Sequence, residues 1–342
     1  MSDKPAARKI RFSVMLPTFV DVGAASPYQR TLEFARRVDE LGYHMGTFGH
    51  HSFTPEIGDP SAPFALLSAV AAVTQRLRLG TGIYLAPLHH PVSVAEQAAT
   101  LDQISGGRAV LGVGLGYRPY EYQGFGLDFH QRGARLSEAL TIIRSGWSSG
   151  QFEFSGEHFQ IPPSPVHPPC VQKPHVPIIV GGSAPAAIRR AARLGDGWFA
   201  LPQESLAVMR AQVEIYRSAC REYGRKPYVC LMRNAWIAPT LKEVEAEWLP
   251  RMIEFHKTFA DARASTDDVV IERLLAGQSF TLEEYIHERA IAGTPQMCIR
   301  EIERWQEAVQ PDEYSLIFGG SDDQARLTRA VEQFAEEVMV AF

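Results

Sequence analysis

The chain has 342 residues, of which 45% are hydrophobic and 21% charged, so it can build a large core and global disorder is excluded. Its formal net charge is −5, and no run of Lys and Arg occurs, which argues against nucleic acid as a partner. No apolar stretch reaches the roughly 18 residues that span a bilayer. The first residues lack the apolar core and cleavage site of a signal peptide. We therefore expect no membrane association.

The cysteines are few and show no metal or redox spacing. They are Cys170, Cys220, Cys230 and Cys298, and no pair forms a C-x-x-C motif. So few thiols in a chain of this length favour a reducing compartment, and we expect a cytoplasmic protein.

Short apolar runs alternate with longer amphipathic stretches along the whole chain. The predicted strands cover residues 10–16, 44–48, 77–84, 109–113, 178–180, 198–201, 229–237 and 314–318. The predicted helices cover residues 28–41, 64–74, 92–104, 132–149, 184–194, 204–222, 241–259, 295–309 and 322–338. Eight strand–helix units favour a closed (β/α)₈ TIM-type barrel over an open α/β sheet, as a single domain over residues 1–342. Catalytic groups are then expected at the carboxyl ends of the strands.

Two insertions interrupt the alternation, after the fourth and the seventh predicted strands. Residues 152–161 are strand-like and precede the Pro-rich segment 162–177, which predicts a hairpin and an ordered loop over one end of the barrel. Residues 260–292 are polar and weakly periodic, which predicts a mobile active-site lid. An extra surface helix without a role is the alternative.

A histidine pair, His50 and His51, follows the second predicted strand. Adjacent strand residues point to opposite faces, so the pair cannot easily chelate one ion, and no metal site is predicted. General acid/base chemistry by one of the two is favoured. A purely structural histidine is the alternative. A second pair, His89 and His90, precedes Pro91 and is more typical of a rigid turn.

Glycines follow several other predicted strands. Gly80 and Gly82 flank Thr81 and would let a flat ligand approach the backbone. Residues 112–116 carry three glycines but no helix follows directly, so they favour an open barrel mouth over a dinucleotide-binding loop. Residues 181–183 open a helix, where free N–H groups suit a phosphate. Capping of that helix by Ser183 is the alternative.

Together these segments resemble the bacterial luciferase-like family of flavin-dependent monooxygenases over nearly the whole chain. The segments that carry the resemblance are GHHSFT from residue 49, LGTGIYLAPLHHPVSVAEQAATLDQISGGR from residue 79, GVGLGYRPYEYQGFG from residue 112, VPIIVGGSAP from residue 176 and AGTPQMCI from residue 292. The stretch ending in LDQISGGR is the most specific of them. The resemblance implies a (β/α)₈ barrel that binds reduced FMN or, in one branch, a deazaflavin coenzyme.

By position, the resemblance also implies roles for individual residues. The cofactor-binding residues it implies are Thr81, Gly82, Ile83, Gly114, Gly181, Gly182 and Ser183. The first three would lie along the flavin ring, with a non-proline cis peptide between Gly82 and Ile83, and Gly182 and Ser183 would hold the phosphate. His50 matches the acid/base histidine of luciferase, and His51 would orient the site. The substrate pocket would be lined by Phe19, Tyr84, Tyr117 and Trp198, with Phe53 and Phe199 as further candidates.

The implied function is oxygenation of a small organic substrate. An exchangeable reduced FMN, supplied by a separate flavin reductase, would react with O₂ at carbon C4a to give a hydroperoxide that the lid and an apolar mouth protect from water. A homodimer is expected from the family. The alternatives are a deazaflavin-dependent dehydrogenase, for which we see no basic run, and a flavin-binding barrel without catalysis.

Three departures from luciferase make light emission unexpected. Leu115 stands where luciferase has an arginine that contacts the phosphate, Gly114 replaces a cysteine, and Gly182 replaces an acidic residue. Arg118 is the candidate to restore a positive contact.

Overall fold

Parallel strands form a closed barrel in the computed structural model, which describes residues 10–19, 27–53, 59–148, 150–258, 272–273, 276–279, 281–286, 289–319 and 323–342. The strands are β1 (Arg11–Met15), β2 (Met45–Phe48), β3 (Arg78–Thr81), β4 (Ala109–Val113), β5 (Phe152–Ser155), β6 (Gln160–Ser164), β7 (Ile178–Gly181), β8 (Gly197–Ala200), β9 (Val229–Ile237), β10 (Ala290–Gly293) and β11 (Glu313–Phe318). The barrel order is β1-β2-β3-β4-β7-β8-β9-β11, and β11 pairs back with β1. The predicted eight-stranded barrel is confirmed.

Helices surround the barrel. They are α1 (Pro27–Glu40), α2 (Pro63–Val73), α3 (Pro91–Ser105), α4 (Pro119–Gly124), α5 (Arg132–Ser148), α6 (Pro185–Leu194), α7 (Leu206–Glu222), α8 (Leu241–Glu247), α9 (Leu249–Thr258), α10 (Leu282–Ile286), α11 (Pro295–Val309) and α12 (Gln324–Glu337). Short 3₁₀ turns cover Ala86–Leu88, Phe129–Gln131 and Met339–Ala341. In the ranges just given, no helix is long and apolar enough to cross a membrane.

Two predicted elements differ in extent from the structure. The single helix predicted over 241–259 is divided into α8 and α9 at the buried Trp248. Pro250 lies in the first turn of α9, the part of a helix where a proline ring is tolerated. The strand predicted over 77–84 ends at Thr81. The peptide bond between Gly82 and Ile83, just after the strand, is cis.

The structure also contains a strand that the sequence did not predict. Strand β10 pairs with the second half of β9, and its four residues, none of them polar, are all buried. Strands covered on both faces lack the polar–apolar alternation that would identify them. Residues 290–292 therefore belong to the sheet, although they fall inside the range predicted as a lid. In the same range α10 buries Leu282, Tyr285 and Ile286, and much of the remainder lies outside the described residues.

The first insertion has the predicted form. Strands β5 and β6 pair antiparallel, and the Pro-rich segment after them covers the amino-terminal end of the barrel. There the backbone N–H groups of Val171 and Gln172 donate to the Asp102 carboxylate at 2.7 and 3.0 Å. The Gln172 side chain donates to the carbonyl oxygen of Ala109 at the start of β4.

The LDQISGGR stretch stabilises the same end of the barrel. Helix α3 ends at Gly106, whose φ of 66° is in the left-handed region that glycine adopts readily. The Arg108 guanidinium donates to the carbonyl oxygens of Ala71, Thr74, Leu77 and Ser105. The most specific sequence segment is therefore structural, because these bonds join α2 and α3 to the starts of β3 and β4.

The apolar core has two layers. The larger one lies between strands and helices. The smaller one fills the barrel interior with Met45, Val110, Ile179, Phe199, Cys230 and Met232. All four cysteines are buried and unpaired.

Glu313 is a buried carboxylate that links the strands at the amino-terminal end. It accepts hydrogen bonds from the hydroxyls of Ser13 and Tyr228, and from His44 Nδ1 at 3.1 Å. Burial by itself would raise its pKa, but the hydrogen bond and charge of His44, with the bonds from Ser13 and Tyr228, outweigh burial and lower it. The folded state thus favours the ionised carboxylate.

We expect Glu313→Gln to destabilise the fold by about 3 kcal/mol at pH 7, because an amide cannot accept all three hydrogen bonds. A lowered folded-state pKa adds stability above the unfolded value, and this stability is lost as pH falls through the folded pKa. The difference in free energy of unfolding between wild type and variant, measured in urea, should therefore narrow as pH falls from 7 to about 3. Equal differences at both pH values would contradict the assignment.

Candidate active site

The side chain of Ile83 lies in a gap between two glycines at the carboxyl end of the barrel. A Cβ atom on Gly114, after β4, would lie 1.9 Å from Ile83 Cδ1, and a Cβ on Gly181, at the end of β7, would lie 3.3 Å from it. Any larger residue at Gly114 would force Ile83 out of this gap. We call Ile83, Gly114 and Gly181 together the Ile83 cradle.

Thr81 holds the strand spacing next to the cradle. Its fully buried hydroxyl donates to the carbonyl oxygen of Gly112 at 2.6 Å and accepts from the Gly112 N–H at 3.0 Å. A Cβ on Gly82 would lie 2.9 Å from the Thr47 hydroxyl, so this glycine packs directly on β2. The hydroxyl of Thr81 is occupied by backbone, and only its main chain borders the cradle.

The turn before α6 has the form of an anion site. Gly182 has a φ of 148°, and a Cβ there would lie 2.6 Å from the Ala187 Cβ, so glycine is required. The N-cap residue of α6 is Ala184, without a side-chain capping bond, so the alternative of capping by Ser183 is wrong. Two carbonyl oxygens of the turn accept hydrogen bonds from side chains. The Gly182 oxygen accepts from Trp198 Nε1 at 2.8 Å, and the Ser183 oxygen accepts from Gln212 Nε2 at 3.2 Å. Backbone N–H groups next to the start of a helix are the type of donor that suits an anion.

Two of the predicted pocket residues face away from the mouth. Trp198 is fully buried and packs on Tyr216 of α7, with 5.4 Å between the ring centroids, so it lies outside the barrel wall. Phe19 packs edge-on against Phe34 of α1 at 6.0 Å. Phe199, the neighbour of Trp198, is the residue that points into the barrel interior.

Three rings cluster at the rim where His50 lies. His50 stacks on Tyr84 at 4.4 Å, Tyr84 stacks on His89 at 4.8 Å, and the two imidazoles are 5.2 Å apart. Phe64 closes the cluster edge-on at 5.0 Å from Tyr84. The structure therefore brings together Tyr84 and His50 as predicted, and it adds His89 from the pair that was interpreted as a turn.

His50 is held neutral by its surroundings. It is 1% exposed, its Nδ1 accepts from the N–H of Leu85 at 3.1 Å, and its Nε2 is buried without a hydrogen-bond partner. Burial, with the nearby His89 and His51, lowers its pKa to about 3, against a small opposing effect of the Ser61 backbone. A neutral imidazole that accepts at Nδ1 carries its proton on Nε2.

His51 has the opposite surroundings. Its Nδ1 is 3.2 Å from Oε1 of Glu121, and its Nε2 is 3.5 Å from the hydroxyl of Tyr117. Glu121 is fully buried on α4 and also accepts from the N–H of Ser52 at 2.8 Å. Asp59 packs on Gly49, where a Cβ would lie 2.3 Å from its Oδ2.

Neither carboxylate is predicted as a site residue from the sequence. Glu121 follows His51 by 70 residues, and Asp59 stands in a loop without a motif. Nothing in their spacing indicates that the fold brings them to one histidine. The one available signal was that Glu121 lies within the GVGLGYRPYEYQGFG segment that carried the resemblance.

Arg118 is engaged with two tyrosines. It donates to the Tyr120 hydroxyl at 2.7 Å, and its guanidinium carbon is 5.3 Å from the centroid of the Tyr117 ring. A phosphate contact by Arg118 remains a prediction.

Across the described ranges, no group of three His, Cys, Asp or Glu side chains is placed to hold a metal ion.

Fold and rim together define a (β/α)₈-barrel protein with an anion-suited turn and a glycine-lined cradle beside buried histidines. The chain belongs to the luciferase-like monooxygenase family, whose model matches residues 10–310. The resemblance seen in the sequence is thereby confirmed.

Individual relatives extend this result. The oxygenase component of the flavin-dependent trigonelline monooxygenase of Acinetobacter baylyi is 28% identical over 330 residues, which cover 92% of this chain and 90% of the relative. The crystal structure of the monooxygenase RslO1 from Streptomyces bottropensis superposes with a TM-score of 0.84 at 27% identity, covering 97% of this chain and 99% of the other. The coenzyme F420-dependent tetrahydromethanopterin reductase of Methanopyrus kandleri shares the fold, with a TM-score of 0.79, 19% identity and coverage of 98% and 99%.

We expect His50 to make the fold acid-sensitive. Its folded pKa of about 3 lies below the unfolded value near 6.5, so the unfolded state binds a proton that the folded state cannot. Stability from this group is present above the unfolded pKa and is lost as pH falls, by about 2 kcal/mol between pH 7 and pH 5. In His50→Gln this loss should be absent. The free energy of unfolding, measured in urea, should therefore differ less between pH 7 and pH 5 in the variant than in wild type. Identical pH dependence of the two proteins would show that His50 is protonated in the fold.

Proposed function

We propose that this protein is the oxygenase component of a two-component flavin-dependent monooxygenase. It takes reduced FMN from a separate reductase and uses O₂ to oxygenate a small organic substrate. The observation that carries the proposal is the Ile83 cradle, next to the anion-suited turn at residues 181–183, in a chain of this family.

The residues at the rim fit a flat ring that carries a phosphate. A side chain at Gly114 would collide with Ile83 Cδ1, so the glycine lets Ile83 stay in the gap, where it does not obstruct a planar group. Gly182 and the first turn of α6 present backbone N–H groups, which suit the phosphate. When bound, reduced FMN would supply the two electrons that O₂ activation requires.

The net reaction defines what the protein must do. Anionic reduced FMN, O₂, one proton and the substrate give oxidised FMN, water and the oxygenated product. The chain must therefore exclude bulk water from the reacting oxygen and deliver one proton to it. The apolar cluster of Tyr84 and Phe64 around the neutral His50 supports exclusion of water, and the unpaired Nε2–H of His50 can donate a hydrogen bond to a polar ligand atom.

The remaining parts of the proposal concern partners. The Acinetobacter relative is an oxygenase component by name, which supports a separate reductase here. FMN is favoured over a deazaflavin with an acidic tail because the sequence has no basic run. A homodimer and a cytoplasmic location remain predictions, and so does the lid over residues 260–292, much of which lies outside the described residues.

The first test is the origin of the oxygen atom. We expect wild-type protein, FMN, NADH and a flavin reductase to transfer one atom from ¹⁸O₂ into a member of a panel of small ketones and nitrogen heteroaromatics. Omitting the reductase should stop the reaction, and mixing chemically reduced FMN with aerobic buffer should restore one turnover. Anaerobic reduction of a deazaflavin coenzyme by an alcohol, without oxygenation, would instead establish the dehydrogenase alternative.

A second test addresses the cradle. Gly114→Ala should weaken binding of reduced FMN by at least about tenfold, because the new methyl group displaces Ile83 Cδ1 into the ring position. Adding Ile83→Val removes the clashing atom and should recover most of the affinity. Gly150→Ala is the matched control, since a Cβ there meets nothing within 4 Å. Unchanged affinity in Gly114→Ala, measured by anaerobic fluorescence titration, would place the flavin elsewhere.

A further inference from the structure

The proposed reaction consumes one proton, and the structure contains two adjacent histidines that could carry it. His50 is poorly suited, because its Nδ1 is occupied by the Leu85 N–H and its ring is enclosed by Tyr84 and His89. No carboxylate is among these neighbours to compensate a positive charge. A buried imidazolium without a counter-charge is strongly disfavoured.

His51 faces compensating charge on one side and the barrel mouth on the other. Glu121 lies 3.2 Å from Nδ1, and Asp59 is close enough to interact electrostatically with both His51 and Glu121. At Nε2 the ring meets the Tyr117 hydroxyl, and the two rings pack edge-on at 5.5 Å. Tyr117 is half-buried and follows β4, at the carboxyl end of the barrel.

The two carboxylates are unusual for their degree of burial. Glu121 is 0% exposed, and its Oε2 has no hydrogen-bond partner. Burial, partly opposed by His51 and reinforced by Glu121, raises the pKa of Asp59 to about 6. Buried, incompletely paired carboxylates cost stability, and proteins retain such groups mainly where function needs them.

We propose that His51, and not His50, carries the proton that the oxygenation consumes, with Glu121 and Asp59 as positioning residues whose negative charge acts on the His51 ring. This inference rests on the proposed function. In the step, the Nε2–H bond of protonated His51 breaks as its proton passes to the Tyr117 oxygen. The Tyr117 O–H proton moves in turn to the oxygen that leaves as water. His51 is left neutral, and solvent protonates it again.

The charged and titratable groups around His51 set the sign of the expected pH dependence. Glu121 on α4 and Asp59 in the loop before α2 favour a positive ring, the guanidinium of Arg118 opposes it, and the adjacent His50 is neutral and adds no charge. Tyr117 is neutral near pH 7, because burial raises its pKa to about 12. Removing either carboxylate should therefore move the alkaline limit of the reaction to lower pH.

The test is the pH dependence of single-turnover product formation with chemically reduced FMN. In wild type the rate constant should fall on the alkaline side, where the proton donor is deprotonated. Glu121→Gln and Asp59→Asn should each move the midpoint of this fall to lower pH by about one unit. His51→Gln should lower the rate at least about 100-fold. His51→Ala should regain part of its activity with added imidazole.

Three controls make the outcomes distinct. His50→Gln should leave the alkaline midpoint in place, whatever its effect on rate, and the exposed Glu153→Gln should behave as wild type. Asp59→Asn tests the proposal even if Glu121→Gln fails to fold, and its thermal midpoint should rise relative to wild type at pH 8, because a buried carboxylate with a raised pKa is removed.

The result that overturns the inference is a midpoint that moves in His50→Gln and stays in place in Glu121→Gln or Asp59→Asn, while wild type still incorporates ¹⁸O. In that case the monooxygenase function stands and His50 is the proton carrier. Absence of oxygenated product from wild type would overturn the proposed function, and this inference with it.

Discussion

The site depends on how closely β3 and β4 approach each other at Gly112. A Cβ there would lie 1.9 Å from the carbonyl oxygen of Thr81, so only glycine allows this approach. Beyond the contact the chain crosses toward β4, where the Tyr84 N–H donates to Gly112 and the Gly114 N–H donates to Tyr84. That crossing places Ile83 between Gly114 and Gly181 and turns the Tyr84 ring onto His50. The cradle and the aromatic cluster are thus consequences of one steric constraint.

The two ends of the barrel satisfy their polar groups differently. At the amino-terminal end Asp39 accepts from three consecutive backbone N–H groups, and Arg108 donates to four carbonyl oxygens. At the carboxyl end His50 and Glu121 each keep a buried atom without a partner. Most buried polar atoms in proteins are paired, so these two rim atoms are suited to meet a polar group of a ligand.

The sequence predicted the barrel well because alternation of strands and helices depends only on local patterns. The sequence did not predict which side chains of a strand face the barrel interior and which face the helices. Trp198 and Phe199 are both fully buried, so hydrophobicity could not show that the first faces α7 and the second the interior. Strand β10 was not predicted for the same reason, because a strand that is buried on both faces shows no polar–apolar alternation. The sequence could not assign Glu121 and Asp59 to His51, because only the folded chain brings them together.

The histidine pair shows how the fold makes two neighbours chemically different. Successive residues leaving a strand point in different directions, so one ring enters the aromatic cluster and the other meets the carboxylates. The first environment penalises a positive charge and the second compensates it. Proton transfer and water exclusion make opposite demands on polarity, and a single ring could not meet both. With the two tasks on adjacent residues, the aromatic cluster of His50 excludes water beside the cradle. The positive charge of the proton carrier is then one residue away, on His51 next to Glu121.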